Sequence, residues 1–255
     1  MADERDDAGI GTAAAALRGA RYVAVLTGAG VSAESGVPTF RDAPTALWAT
    51  FDPRELATPS AFARHPKRVW DWYAQRRAQL ARVDPNPAHH ALVALERRVP
   101  RFLLATQNVD GLHARAGSRA LVELHGNLAR VRCSACARVA SRWNEPVDAE
   151  PPRCAACGAF LRPDVVWFEE LLPADALAAA EGAARECDAL LVVGTSAEVY
   201  PAAGLPDAAR AAGAFIVEVN VGATPLTSRV DVALRGQAGT LLPALVRATW
   251  PDAPP

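Results

Sequence analysis

Residues 22–36 read YVAVLTGAGVSAESG. The first seven are short, apolar and β-branched and end on glycine, the pattern of a strand buried on both faces. Gly28-Ala29-Gly30-Val31-Ser32-Ala33 overlaps its end and fits G-x-G-x-x-G/A. Glycines in that pattern let backbone N–H groups approach a pyrophosphate at a helix start. An ordinary dinucleotide-binding dehydrogenase also carries an acidic residue about 20 positions on, at the end of a second strand. The segment there, FRDAPTALW from Phe40 to Trp48, has no strand pattern, which excludes that class.

Working outward, similar strands are expected at Phe102–Gln107, Leu121–Leu124, Leu190–Gly194, Phe215–Asn220 and Val230–Leu234. Helical spacing lies between them at Ala88–Arg98, Ala174–Cys187 and Asp207–Ala212. The alternation predicts an α/β fold: a Rossmann-like, mostly parallel sheet with helices on both faces. Gly194-Thr195-Ser196 and Asn220 each end a strand, where ligands bind in open α/β sheets. Two segments break the rhythm. Residues 44–82 lack a strand signal and carry Trp48, Trp70, Trp72 and Tyr73; they read as a helical insertion. Residues 131–162 hold the paired cysteines and read as a module too short to bury a core alone. The remaining stretches, 1–43, 83–130 and 163–255, form the nucleotide-binding domain in this reading. Residues 1–10 and 250–255 read as loose ends.

The chain has 255 residues, 51% of them hydrophobic, and a formal net charge of -1, which excludes a disordered protein. Its longest apolar runs, such as Ala189–Val193, are strand-length, so no membrane span is expected. The near-neutral balance supplies no general field for nucleic acid. The acidic start MADERDDAGI resembles neither a signal nor a transit peptide, and the expected compartment is the cytoplasm.

Four of the five cysteines form two C-x-x-C pairs, Cys133/Cys136 and Cys154/Cys157, seventeen residues apart. That spacing suits one tetrahedral zinc ion held by four thiolates. With no open position its role is structural, and it supplies folding energy, of order 10 kcal/mol, that the short module lacks. Redox cysteines and a nucleic-acid-binding ribbon are the competing readings; several arginines surround the cysteines, but Glu145, Asp148 and Glu150 lie among them. Cys187 stands alone in an apolar stretch and reads as a small buried hydrophobe.

The ordered set GAGVSAESGVPTFR (28–41), TQNVDGLHARAG (106–117), ELHG (123–126), the four cysteines, RPDVVWFEE (162–170), GTS (194–196) and Asn220 resembles the sirtuins, NAD-dependent protein-lysine deacylases, over nearly the whole chain. The resemblance implies NAD contacts at Gly28, Ala29, Gly30, Ser32, Gln107, Asn108, Val109, Asp110, Gly194, Thr195, Ser196, Asn220 and Ala238. Phe40 and Arg41 belong to a loop that closes over the cofactor. His125 matches the catalytic histidine, with Asn108 and Asp110 beside it in the ribose and nicotinamide pocket. Val166, Trp167 and Phe168 match the stretch whose backbone pairs with a substrate peptide as an added strand. In the implied reaction the acyl oxygen attacks C1′ of the NAD ribose and expels nicotinamide. His125 then acts as general base on a ribose hydroxyl, and lysine and acyl-ADP-ribose are released. Its ordinary pKa, about 6.5, suits that task. His113 reads as structural, and His89 and His90 as surface or capping residues.

Tyr73 and Arg76 stand at i and i+3 on the expected helix and so share a face. A phenol and a guanidinium together can grip a carboxylate. Sirtuins with Tyr-x-x-Arg here remove succinyl, malonyl and glutaryl groups. Ala57 matches the small residue of their acyl pocket, and Thr39 in GVPTFR, where aspartate is more common, resembles the same branch. Glu169 departs from the family, which has glycine after Trp-Phe. The resemblance thus implies an NAD-dependent deacylase acting on succinyl- and malonyl-lysine and more weakly on acetyl-lysine, a monomer with acyl-lysine proteins as partners and one structural zinc. The alternatives are a deacetylase, a mono-ADP-ribosyltransferase and a non-catalytic NAD- or nucleic-acid-binding regulator.

Overall fold

The computed structural model describes residues 4–39, 51–140 and 150–251. Phe40, Arg41, Trp48, Glu145 and Asp148 lie outside the described residues.

Six parallel strands form the main sheet: β1 (Tyr22–Thr27), β2 (Arg101–Thr106), β3 (Leu121–Glu123), β6 (Ala189–Val193), β7 (Phe215–Asn220) and β8 (Val232–Arg235), in the order β3-β2-β1-β6-β7-β8. Strand β1 is buried throughout and explains the layering. Val23 and Val25 point into one core, with Leu17 of α1 (Glu4–Gly19), Leu92 of α5 (Pro87–Glu96) and Leu242 of α9 (Ala238–Thr249). Tyr22, Ala24 and Leu26 point into the other, with Ala183 of α7 (Ala174–Glu186) and Ala209 of α8 (Leu205–Ala211). The period-2 alternation puts apolar side chains on both faces, so both faces must be covered. The chain winds outward one way from β1 and the other way from β6. Their carboxyl ends therefore meet at the topological switch point, where a crevice opens.

Two expectations are corrected. Residues 4–10 are not a loose end: they open α1, whose Ala13, Ala14 and Leu17 are fully buried. Arg18 ties that helix to α9, donating to the carbonyls of Thr249 and Ala248 at 3.0 and 2.8 Å. Alanine is only weakly apolar, which left the stripe faint in the sequence. His89 is not on the surface. It caps α5 with Asn86, as one reading had it, but it is completely buried.

The insertion consists of α2 (Pro53–Leu56), α3 (Pro59–Arg64) and α4 (Pro66–Leu80), each opening on a proline in its first turn. Proline suits that position because its missing N–H would be unpaired there anyway. Asp52 and Thr58 cap the first two. The cysteines sit beyond an antiparallel pair, β4 (Gly126–Cys133) and β5 (Leu161–Val165). Insertion and module share cores: Phe62, Val69 and Tyr73 pack with Leu128, Val165 and Trp167, while Trp70, fully buried, packs with Cys133 and Cys154. A short helix, α6 (Leu112–Ala116), follows the β2 loop.

Candidate active site and metal centre

The site begins where the loops after β1 and β6 cross. The Gly30 N–H donates to the Gly194 carbonyl at 2.8 Å, and the Gly28 N–H to Val193 at 3.0 Å. A Cβ at Gly30 would lie 2.8 Å from the Gly194 Cα. Gly194 has φ 59°, and a Cβ there would sit 2.3 Å from the Val31 nitrogen. Only glycine meets both demands. The crossing makes a backbone cradle at the switch point, which suits the close approach of a pyrophosphate.

Polar side chains fix the loops around it. Gln107 Nε2 donates to Thr195 Oγ1 at 3.0 Å, and Asn220 Nδ2 to the Thr195 carbonyl at 3.0 Å. Beneath Asn108 lies a buried chain. Ser32 Oγ accepts from Asn108 Nδ2 at 3.2 Å and donates to Asp110 Oδ2 at 2.7 Å. Asp110 Oδ1 accepts from the Leu112 N–H at 2.9 Å. Burial pushes the Asp110 carboxyl above its ordinary pKa, and the Leu112 and Ser32 donors oppose that rise. His89 and His113 lie against this layer with ring centroids 4.8 Å apart. Burial holds them neutral, at about 4 and about 3. His113 thus serves the layer as a structural residue, with Nε2 3.0 Å from Thr27 Oγ1.

His125 stands between β3 and β4. Its Nδ1 lies 2.8 Å from the Gln107 carbonyl. A carbonyl can only accept, so Nδ1 carries the proton and Nε2 is the bare, basic nitrogen. Burial lowers the His125 pKa, and the bond to Gln107 partly opposes this. The ring is therefore neutral and able to take a proton at neutral pH.

A cavity of about 300 Å3 joins these parts to the insertion. Gly28, Ala29, Gln107, Asn108, Val109 and His125 line one part of it, with Gly194, Thr195 and Ser196. Ala57, Tyr73, Arg76, Val166, Trp167 and Phe168 also line it. Tyr73 and Arg76 are both buried, so Arg76 does not face solvent. Tyr73 Oη accepts from Trp167 Nε1 at 3.0 Å. Burial pushes the phenol up to about 12, so it keeps its proton as a donor. The Arg76 guanidinium lies 4.9 Å from the Trp72 ring centroid. A neutral donor and a cation thus share a wall of the cavity that holds a basic imidazole.

The sequence-derived residues divide here. Gly30, Ser32, Asp110 and Asn220 support the cavity from behind without lining it. Ala238 opens α9, is buried in the sheet core and lies outside the cavity lining. The loop of Val166–Phe168 is braced from within: the Val166 N–H donates to His125 and the Phe168 N–H to Ala57, both at 2.9 Å, and the Trp167 N–H donates to Glu170 Oε2 at 2.8 Å. All three N–H groups are engaged within the chain. Arg162, buried under Trp167 with its guanidinium 3.4 Å from the ring centroid, holds Glu170 at 2.6 and 2.8 Å. Glu169 takes φ 73°, the left-handed conformation that favours glycine. Sequence reasoning missed Trp72, Leu172, Val199 and Tyr200, which also line the cavity; only Trp72, beside Tyr73 on a tryptophan-rich helix, left a signal.

At the far side of the insertion the sulfurs of Cys133, Cys136, Cys154 and Cys157 lie within 4.8 Å of one another. Cys133 and Cys157 are 3.4 Å apart, and Cys136 and Cys154 3.9 Å. Four sulfurs about 2.3 Å from a tetrahedral ion would be about 3.8 Å apart, so this set fits zinc. The Cys136 and Ala135 N–H groups donate to Cys133 Sγ, both at 3.4 Å, and favour its thiolate. Cys187 is a separate buried thiol that burial pushes up to about 11.

Comparison with known proteins agrees with this geometry. Residues 28–201 match the Sir2 family. The chain is 54% identical to the NAD-dependent protein deacylase of Ralstonia nicotianae over 242 residues, which cover 94% of this chain and 97% of that protein. It is 58% identical to the NAD-dependent protein deacylase of Thermus thermophilus over 224 residues, covering 86% and 87%. A crystal structure of a Sir2 homologue–NAD complex matches with a TM-score of 0.87 at 44% identity, covering 98% of this chain and 94% of that one. A mutant Sir2 homologue with ADP-ribose matches at 0.89 and 45%, covering 93% and 95%. With a family match over residues 28–201 and relatives more than half identical across most of their length, the chain belongs to the Sir2 family, the sirtuins.

Proposed function

We propose that this sirtuin is an NAD-dependent protein-lysine deacylase whose acyl pocket favours succinyl and malonyl groups over acetyl. One observation carries the reading: a single cavity joins the glycine cradle, the basic Nε2 of His125, and the Tyr73–Arg76 pair. NAD, when bound, supplies the electrophilic ribose carbon that takes the acyl group and releases nicotinamide. Gly28, Ala29 and the 194–196 loop hold its phosphates and adenosine half, and Asn108, positioned by Ser32, faces the ribose. His125 accepts the ribose hydroxyl proton at Nε2 while Gln107 holds its Nδ1–H. Trp167 and Phe168 flank the entering lysine. Ala57 leaves room for the acyl chain, and the Tyr73 hydroxyl and Arg76 guanidinium meet its terminal carboxylate. Modified lysines in peptides are the proposed substrates, and the enzyme acts as a monomer. Among the described residues no helix is long and apolar enough to cross a membrane.

The test is the double variant Tyr73→Phe, Arg76→Met, assayed on one peptide carrying succinyl-, malonyl- or acetyl-lysine. Hydrogen bonds to charged groups contribute roughly 1.5–3 kcal/mol each, about 3–6 kcal/mol for the two, so the succinyl-to-acetyl ratio of kcat/KM is expected to fall by at least about 100-fold. An equal loss on all three acyl groups would show that the pair serves the fold instead. Product mass separates deacylation from protein ADP-ribosylation in the same assay.

A further inference from the structure

A second cavity, of about 640 Å3, lies on the insertion; Phe51, Leu56 and Pro66 give it an apolar side, and charged Arg64, Lys67 and Arg68 line it as well. Among the described residues, Trp72 is the one side chain that lines both this cavity and the one holding His125. Its indole is fixed on several sides. Tyr73 meets it edge to face at 4.6 Å and 87°, and Phe51 at 5.8 Å and 75°. The Arg76 guanidinium, one helical turn on, lies 4.9 Å from the ring centroid. So α4 presents both the carboxylate grip and the partition beside it within five residues.

We propose that Trp72 is the end wall of the acyl pocket and sets the longest acyl chain this enzyme accepts. A planar indole held by an aromatic pair and a cation is a stiff barrier, because moving it forfeits those contacts together. With the indole in place, the pocket ends near Arg76, and an acyl chain long enough to pass that point has no room. With the indole removed, the two cavities become one space, and Phe51, Leu56 and Pro66 offer an apolar side to a longer alkyl tail. The same removal leaves Arg76 without the ring against which it rests, so it weakens the grip on a short carboxylate. One substitution therefore moves two selectivities in opposite directions, which a merely destabilised protein would not do.

The proposal rests on the acyl pocket lying at Tyr73 and Arg76. The experiment measures kcat/KM of the full chain, Trp72→Ala and Trp72→Leu on one peptide bearing acetyl-, succinyl- or octanoyl-lysine, with deacylated peptide read by mass. The octanoyl-to-acetyl ratio is expected to rise at least about 10-fold in Trp72→Ala and less in Trp72→Leu, while the succinyl-to-acetyl ratio falls severalfold, as expected for one partly desolvated cation–π contact. An unchanged or lower octanoyl-to-acetyl ratio would overturn the proposal. So would loss of turnover on all three substrates in both variants, which would make Trp72 a packing residue. Failure of the underlying reading looks different: the wild-type enzyme would then show no preference for succinyl over acetyl, with the octanoyl ratios still measurable.

Discussion

Replacing His125 by alanine is expected to lower deacylation by about 100- to 10,000-fold, the range over which a positioned general base contributes. The expectation follows from the tautomer. The Gln107 carbonyl accepts from Nδ1, so the one nitrogen able to take a proton in the neutral ring is Nε2, and the ring lines the cavity beside Asn108. Among the described residues the side chain's one hydrogen bond runs to a backbone carbonyl, so the glycine cradle and the β-strands are expected to survive its removal and NAD affinity to stay within a few-fold. The pH dependence carries the same signature. The active form is unprotonated and burial lowers the pKa, so the acid limb of kcat/KM, which reports the free enzyme, lies below the ordinary histidine value of about 6.5. Activity rises with pH through that limb and is flat above it. An acid limb above 6.5, or substantial turnover in His125→Ala, would contradict the role.

Cys154→Ser has the largest expected effect on stability. A four-thiolate zinc site contributes about 10 kcal/mol or more to folding in small zinc peptides, and one missing thiolate forfeits much of it. Damage does not stop at the ribbon. Cys133 and Cys154 share a core with fully buried Trp70, which lies on α4 three residues before Tyr73. Zinc loss is therefore expected to loosen the acyl pocket, with succinyl selectivity lost before NAD binding. Metal content, tryptophan fluorescence and selectivity of the purified variant check this in one preparation. Full zinc content with an unchanged melting temperature would remove the metal centre from the account.

How much of this was legible in the sequence depends on the kind of residue involved. The sheet was readable because its central strands are continuous Val, Leu and Ala, a pattern with few other uses. The switch point followed from Gly28, Gly30 and Gly194, although why all three must be glycine emerges only from their mutual approach. The zinc ligands were fixed by spacing alone. Helix α1 was missed because its stripe is alanine, whose burial shows only in three dimensions. The burial of Ser32 and Asp110 behind the cavity wall could not be read, since motif membership does not say which side chains touch a ligand and which hold those that do. The closed N–H groups of Val166, Trp167 and Phe168 depend on partners at Ala57, His125 and Glu170, two of them distant in sequence. In the sequence Trp72 is one more aromatic of a helical insertion; only the structure shows that it lines both cavities.

The central claim is that a dinucleotide lies across the β1–β6 crossing with its ribose beside His125 and its acyl acceptor position open to a modified lysine. It is tested most directly by incubating the purified protein with NAD and a succinyl-lysine peptide and quantifying nicotinamide and free lysine peptide together. The account predicts equimolar release of the two, dependent on the acyl group and absent with the unmodified peptide. No nicotinamide release with succinyl-, malonyl- or acetyl-lysine peptides, from a folded and zinc-loaded protein, would contradict it.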